Sequence, residues 1–213
     1  RQMCIRDRFS EGNHSRLRPG DIKYRDLNGD GVIDDYDKMP IGFCDIPEIT
    51  YGFGGAIEWK GFDVSIFFQG TARVSLFEEG STIVPFSSGY KNNDGFLRGV
   101  MENRWTVDNP DPNARYPRTI RPSDALDNNN TKKSSFWVRN AAFLRLKNAE
   151  IGYTFPKRWM EKMAIQNLRL YVSGVNLLTW APDVHLFDPD LGSGDGRKYP
   201  PTRVFNVGLN INF

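Results

Sequence analysis

The sequence predicts an all-β fold: the C-terminal portion, about five strands, of an antiparallel transmembrane β-barrel with long extracellular loops and short periplasmic turns. Three observations carry this reading. The last segment alternates Phe205, Val207, Leu209, Ile211 and Phe213 with Asn206, Gly208, Asn210 and Asn212, so one face is apolar and the other polar or glycine. A strand between lipid and a watery interior requires that pattern; a terminal strand of a soluble sandwich, with a solvated outer face, is the alternative. Upstream, two pairs of alternating segments read as hairpins with short connections. Between the hairpins runs a stretch at 78–138, rich in Gly, Asn, Asp, Pro and Ser, whose length suits a barrel loop better than a structureless connection in a compact soluble domain.

Taken in order, residues 1–8 (RQMCIRDR) fit neither strand nor loop and are set aside as a non-native end. Residues 9–49 read as an extracellular loop carrying a calcium-type motif, and 50–213 as barrel strands with their loops. In the first hairpin Tyr51, Phe53, Ile57 and Trp59 share a face, and Phe62, Val64, Ile66 and Phe68 follow the turn at Lys60 and Gly61. The long loop holds one short helix around Phe96 to Trp105. In the second hairpin Ala149, Ile151, Tyr153 and Phe155 form the outward set, Pro156 to Met163 the connection, and Leu168, Leu170 and Val172 the return. If the turns at Lys60 and Pro156 are periplasmic, the loops at 78–138 and 181–200 are both extracellular and Phe213 is periplasmic. Every connection fits one orientation.

Composition is ordinary, with 39% hydrophobic and 25% charged residues, but strands that show lipid only alternate side chains hide from such totals. The 13% aromatic share suits interfacial girdles. A net charge of +2, with basic residues scattered among acids, excludes a nucleic-acid footprint. No run of apolar residues is long enough for a transmembrane helix, and Arg1 to Arg8 lack the apolar core of a signal peptide. Cys4 and Cys44 have neither metal nor disulfide-framework spacing. Five strands cannot close a barrel, since single-chain barrels start at about eight. The chain is therefore expected either to be part of a longer one or to assemble with copies of itself, and the lack of a signal peptide favours the former.

The motif that carries chemistry is Asp26, Asn28, Asp30, Gly31, Val32, Asp34 and Asp37, in the pattern D-x-N-x-D-G-x-I-x-x-x-D. A hard cation wants six to eight oxygens, and carboxylate or amide groups at the first, third and fifth positions converge as Gly31 turns the chain. Val32 offers its carbonyl, Asp34 a water-mediated contact, and Asp37 the twelfth-position carboxylate, with Ile33 packing beneath. The cofactor expected is a structural Ca2+ of modest affinity, because Asp37 is shorter than the usual Glu. The alternative is an Asp/Asn-rich turn held by its own side-chain to backbone bonds. Asp188, Asp190 and Asp195 have no metal spacing and read as a turn-rich loop, where Tyr199 could touch sugar. Trp105, Trp137, Trp159 and Trp180 invite a stacking role, although Trp159 and Trp180, beside strand ends, suit a girdle better. No catalysis is expected: His14 and His185 have no nucleophile motif, and Glu102 and Glu161 have no partner carboxylate.

Several ordered motifs resemble the closing portion of SusC/RagA-type TonB-linked transporters: GDIKYRDLNGDGVIDDYDK from Gly20, TYGFGGAIEWKGFDVSIFFQG at 50–70, FLRLKNAEIGYTFP at 143–156, LRLYVSGVNLLTW at 168–180 and the terminal Phe213. The resemblance spans nearly everything after about residue 18. It implies a barrel of about 22 strands in the outer membrane of a Gram-negative bacterium. It further implies an N-terminal plug opened by TonB, a SusD-like surface lipoprotein as lid, outer-membrane lipid around the wall, and glycans or peptides as cargo. It makes the run from Phe205 to Phe213 a barrel-assembly signal, the terminal aromatic being the end that assembly machinery reads. This chain shows no plug or TonB box. A secreted, calcium-stabilised β-module resembling a dockerin, binding carbohydrate or protein, is the alternative; dockerins, however, use two such loops, and a soluble module has no need of an apolar strand ending in Phe. A surface-layer or adhesion barrel is a third reading.

Overall fold

The structure is a computed structural model, and it describes residues 18–80, 82–83, 97–119, 129–160, 165–194 and 196–213. The chain divides into two compact units. A sheet unit comprises Cys44–Ser75, Asn140–Leu191 and Lys198–Phe213, and a loop unit comprises Arg1–Phe43, Leu76–Arg139 and Gly192–Arg197.

The sheet unit is an antiparallel array of β1 (Ile49–Trp59), β2 (Phe62–Ala72), β5 (Phe143–Thr154), β6 (Asn167–Trp180) and β7 (Val204–Asn212), in the spatial order β1-β2-β5-β6-β7. Short strands β3 (Ser75–Phe77) and β4 (Val138–Asn140) pair separately. The five long strands are the five that the alternation predicts. Trp59 pairs with Phe62 across a two-residue turn. Lys60 and Gly61 both take positive φ, 51° and 88°, the type I′ geometry whose twist matches paired strands. A side chain at Gly61 would also collide with the carbonyl of Thr154, 2.7 Å from where its Cβ would lie.

One slip in the sequence pattern has a structural answer. On β5 the apolar positions are Leu144 and Leu146, then Ala149, Ile151 and Tyr153, so the alternation changes parity between Leu146 and Ala149. The register with β2 shifts there: Phe67 faces Asn148 and Phe68 faces Leu146, which leaves Lys147 as an extra residue on β5. This bulge puts both apolar sets on the same side of the sheet. The connection after β5 contains α2 (Lys157–Met160), and Phe155 N–H donates to the Leu168 carbonyl. The remainder of the expected connection, through Met163, lies outside the described residues.

The expected long loop at 78–138 lies within the loop unit, which buries apolar side chains of its own. Leu76, Ile83, Val100, Tyr116 and Trp137 are almost fully buried and form a core. The expected helix at 96–105 is α1, Arg98–Glu102, with Phe96 outside the described residues. Leu97 gives no side-chain cap. Trp105 N–H turns to the Tyr116 carbonyl, and Tyr116 N–H to that of Asn103, so pairing with a distant segment ends the helix early.

Beneath this core lie charges. Arg139 Nη2 stands 2.7 Å from Glu78 Oε2 with both side chains wholly buried, and Arg115 approaches Glu78 at 3.6 Å. A second cluster anchors the segment that leads into the acidic loop. Asp21 is buried, accepts from Asn130 Nδ2 at 2.8 Å and pairs with Arg118, while Ile22 N–H donates to Asn130 Oδ1 at 2.8 Å. Trp137 Nε1 and Tyr24 Oη donate to the backbone carbonyls of Asn130 and Asn129. Burial pushes the Tyr24 hydroxyl well above its ordinary pKa, so it stays a donor.

Candidate functional site

The sheet sorts its side chains by chemistry in rows that cross all five strands. Ile57, Val64, Ile151, Val172 and Val207 stand in register from β1 to β7. The neighbouring row on the same face is Trp59, Phe62, Tyr153, Leu170 and Leu209. Further along this face come Phe53, Phe68, Leu146 and Leu178, then Tyr51, Gly70, Leu144 and Trp180. Most of these apolar side chains are exposed, Ile57 at 75% and Val207 at 76%.

Aromatic residues gather at the two ends of that face. At one end Phe62 lies 4.6 Å from Tyr153 between ring centroids, with Phe155 and Trp159 beyond. At the other are Tyr51, Phe53, Phe68 and Trp180, with Phe53 stacked on Phe68 at 5.2 Å. At about 3.4 Å per residue, Tyr51 to Trp59 spans roughly 27 Å along the strand, or about 20 Å at a tilt near 40°. That is of the order of the ~25 Å apolar band of a membrane barrel, flanked by its girdles.

The opposite face is largely polar, with Phe67 also on it, over Gly52 and Gly54. Ala56, Ser65, Glu150, Ser173 and Asn206 form one row, and Glu58, Asp63, Gly152, Tyr171 and Gly208 the next. Arg169 ties them together: it forms a two-point pair with Asp63, reaches Glu150 at 2.6 Å, and lies 5.0 Å from the Tyr171 ring centroid. The Tyr171 ring lies over Gly208, where a Cβ would come within 2.2 Å of it. A planar guanidinium holding two carboxylates across β2, β5 and β6 fastens those strands from the polar side.

Of the residues expected to matter, Phe205, Val207, Leu209, Ile211 and Phe213 are all exposed, four of them on edge strand β7 and Phe213 just beyond it. The acidic loop is wound as its spacing demands, with Gly29 and Gly31 at positive φ, 80° and 83°. Asp26 accepts from Gly29 and Gly31 N–H at 2.6 and 2.8 Å, Asn28 Oδ1 from Asp30 N–H, and Asp30 from Val32 N–H. Asp37 accepts from Leu27 and Asp34 N–H, and Asp34 caps the turn at Tyr36. The N–H groups of Leu27 and Asp34 hold the Asp37 carboxyl below its ordinary pKa. Ile33 is half-buried. The two Asp26 oxygens each accept one of these bonds and keep a second lone pair, whereas Asp37 Oδ1 accepts from both Leu27 and Asn28 N–H. However, among the described residues no three His, Cys, Asp or Glu side chains converge closely enough to hold a metal ion.

The other singled-out residues separate. Trp137 is buried in the loop unit, so its face is not offered to a ligand, whereas Trp159, Trp180 and Tyr199 are exposed. His185 and Glu102 are exposed and Cys44 is an exposed free thiol, while His14, Glu161, Asp195 and Cys4 lie outside the described residues. Asp188 and Asp190, expected only to shape a turn, are both bound by Arg145, a pairing that no local spacing announces.

No profile of a known protein family matches the chain. It is, however, similar to "TonB-dependent receptor P26" of Formosa agariphila, 30% identical over 208 aligned residues that cover 91% of this chain and 20% of that protein. "TonB-dependent receptor P3" of the same organism is 31% identical over 208 residues. This chain belongs with the TonB-dependent receptors. "TonB-dependent receptor SusC" of Bacteroides thetaiotaomicron is 26% identical over 205 residues, covering 92% of this chain and 18% of its own length. The chain spans about a fifth of the length of these TonB-dependent receptors. The fold agrees with a chain of the RagAB peptide importer in its "closed-closed" state: TM-score 0.63, 22% identity, 88% of this chain and 20% of that one. A second RagAB structure gives a TM-score of 0.61 over 86% of this chain. The antiparallel sheet with one apolar and one polar face is thus TonB-dependent receptor barrel wall.

Proposed function

We propose that this chain forms part of the wall and outer loops of a TonB-dependent importer in the outer membrane, taking up glycans or peptides together with a SusD-like surface lipoprotein. The observation that carries this reading is the pair of opposed faces. Two apolar rows run across all five strands, aromatic residues gather at both ends of that face, and polar rows carrying Glu58, Asp63 and Glu150 lie on the other side. That division suits a sheet with lipid on one side and water on the other. Energy would come from TonB acting on the plug of the complete receptor. Titration of the receptor-bearing cells with labelled oligosaccharides and oligopeptides, with and without a functional TonB, tests it. TonB-dependent uptake of one class is expected, and unchanged uptake in the TonB-deficient strain would overturn the reading.

The same proposal gives the loop at 26–37 a structural calcium ion. Its ligand order and the left-handed turn at Gly31 support this. Calcium would have to draw Asp26, Asp30 and Asp37 together from their present separation. Calorimetric titration should give a calcium heat that D26A/D30A abolishes; no heat from the unsubstituted chain rejects the ion and leaves the hydrogen-bonded turn as the whole explanation.

A further inference from the structure

The polar face of the sheet carries one more built feature, near the end marked by Tyr51 and Trp180. Arg145 pairs in register with Gln69 and Thr179, so its side chain stands on this face, yet it is only 2% exposed. What covers it is the segment that follows β6. The guanidinium spends its donors on that segment: Nη2 on both oxygens of Asp188, at 2.6 and 2.7 Å, and Nη1 on Asp190 at 2.7 Å. Nε donates to Thr179 Oγ1 at 2.9 Å, and the Phe143 ring lies 5.0 Å away.

The segment is held at other points as well. Asp183 accepts from Asn140 N–H at 3.1 Å, Val184 and Pro189 are buried, and Pro189–Leu191 form a 3₁₀ turn whose Leu191 carbonyl accepts from Lys198 Nζ at 2.6 Å. Most of these are ordinary loop contacts, but the Arg145 cluster is not. A desolvated cation facing two carboxylates is costly unless its whole fork is engaged, and here one planar guanidinium engages both.

We propose that Arg145 is a positioning residue that holds 183–191 as a strap against the polar face of the wall, fixing Asp188 and Asp190 at the outer mouth of the interior. The strap rests on the geometry alone; its place at the mouth rests on the barrel reading above. An apolar or neutral residue at 145 would take the cation from both carboxylates, leaving Asp188 only the N–H of Asp190, and free the strap.

Hydrogen exchange on the complete receptor in detergent tests this, comparing R145Q, R145K, D188N/D190N and the triple variant R145Q/D188N/D190N. Exchange within 183–191 should rise at least tenfold in R145Q and in D188N/D190N, and no further in the triple variant, while amides of β5 and β6 keep their protection. R145K should fail to rescue, because an ammonium cannot fork to two carboxylates. Unchanged exchange at 183–191 in R145Q, or equal loosening of β5 and β6, overturns the strap. Heat-modifiable migration of the unsubstituted receptor reports separately on the barrel. If that shift is absent while the strap still depends on Arg145, the barrel reading fails and the strap stands.

Discussion

The two units of this chain place charge and apolar surface in opposite positions. The loop unit hides Glu78 and Arg139 completely among Leu76, Val100, Tyr116 and Trp137, as a water-facing domain does when it must satisfy a buried ion pair. The sheet unit leaves Ile57, Trp59, Phe205 and Val207 in the open and turns Arg169, Asp63 and Glu150 to the other side. One set of residue types thus obeys two rules within a single chain. The difference teaches that the solvent of each surface, not overall composition, decides which side chains are exposed; the sheet's apolar face is complete only when lipid covers it.

The sharpest way to break this contrast is in the loop unit. R139M removes the shortest ion pair of buried Glu78 and leaves it only the longer contacts of Arg115 and Tyr116 Oη, so it should destabilise that unit by up to about 3–5 kcal/mol, whereas the double variant E78L/R139M should recover most of the loss. Amide exchange at 97–119 reads the effect, with β5 and β6 as the internal reference. Equal stability of the single and double variants would show that the pair is not the unit's buried liability.

Next in size, I151K sets a charge in the middle of the apolar face and should cost about 2–4 kcal/mol in lipid, lowering the folded fraction of the complete receptor in vesicles. S173K, in register with Glu150 on the polar face, should stay within about 0.5 kcal/mol. Equal losses for the two would erase the distinction between faces. A smaller effect follows from G208A, whose new methyl meets the Tyr171 ring and should cost about 1–3 kcal/mol in equilibrium unfolding.

The smallest effect is local. Asp37 has a depressed pKa, so its bonds to Leu27 and Asp34 N–H contribute stability above the ordinary carboxylate value of 3.8 and lose it as pH falls through the depressed one. Protection of those two amides should fade only below that ordinary value. In D37N the fade should vanish, because the replacement carries no titrating proton.

Much of the sheet was legible because alternation is a strong signal when each face meets a different solvent. Tyr51 to Phe68 and Phe205 to Phe213 read directly as strands, and Lys60-Gly61 as their turn. The loop unit was not legible, because its core draws on Ile22, Leu76, Val100, Tyr116 and Trp137, which are scattered along the chain with no period. The short helix was overextended for the same reason: its end is set by Tyr116, a partner beyond local reach.

By itself the sequence determined the five strands, their tight first turn and the faces they present, since those depend on neighbours one or two residues away. The acidic loop is likewise written locally, from Asp26 to Asp37. Tertiary structure alone decided that Lys147 is a bulge, that Arg169 joins Asp63 to Glu150, and that Arg145 binds Asp188 and Asp190. Each brings together residues far apart in sequence, and charge pairing depends on distance in space, which no pattern along the chain encodes.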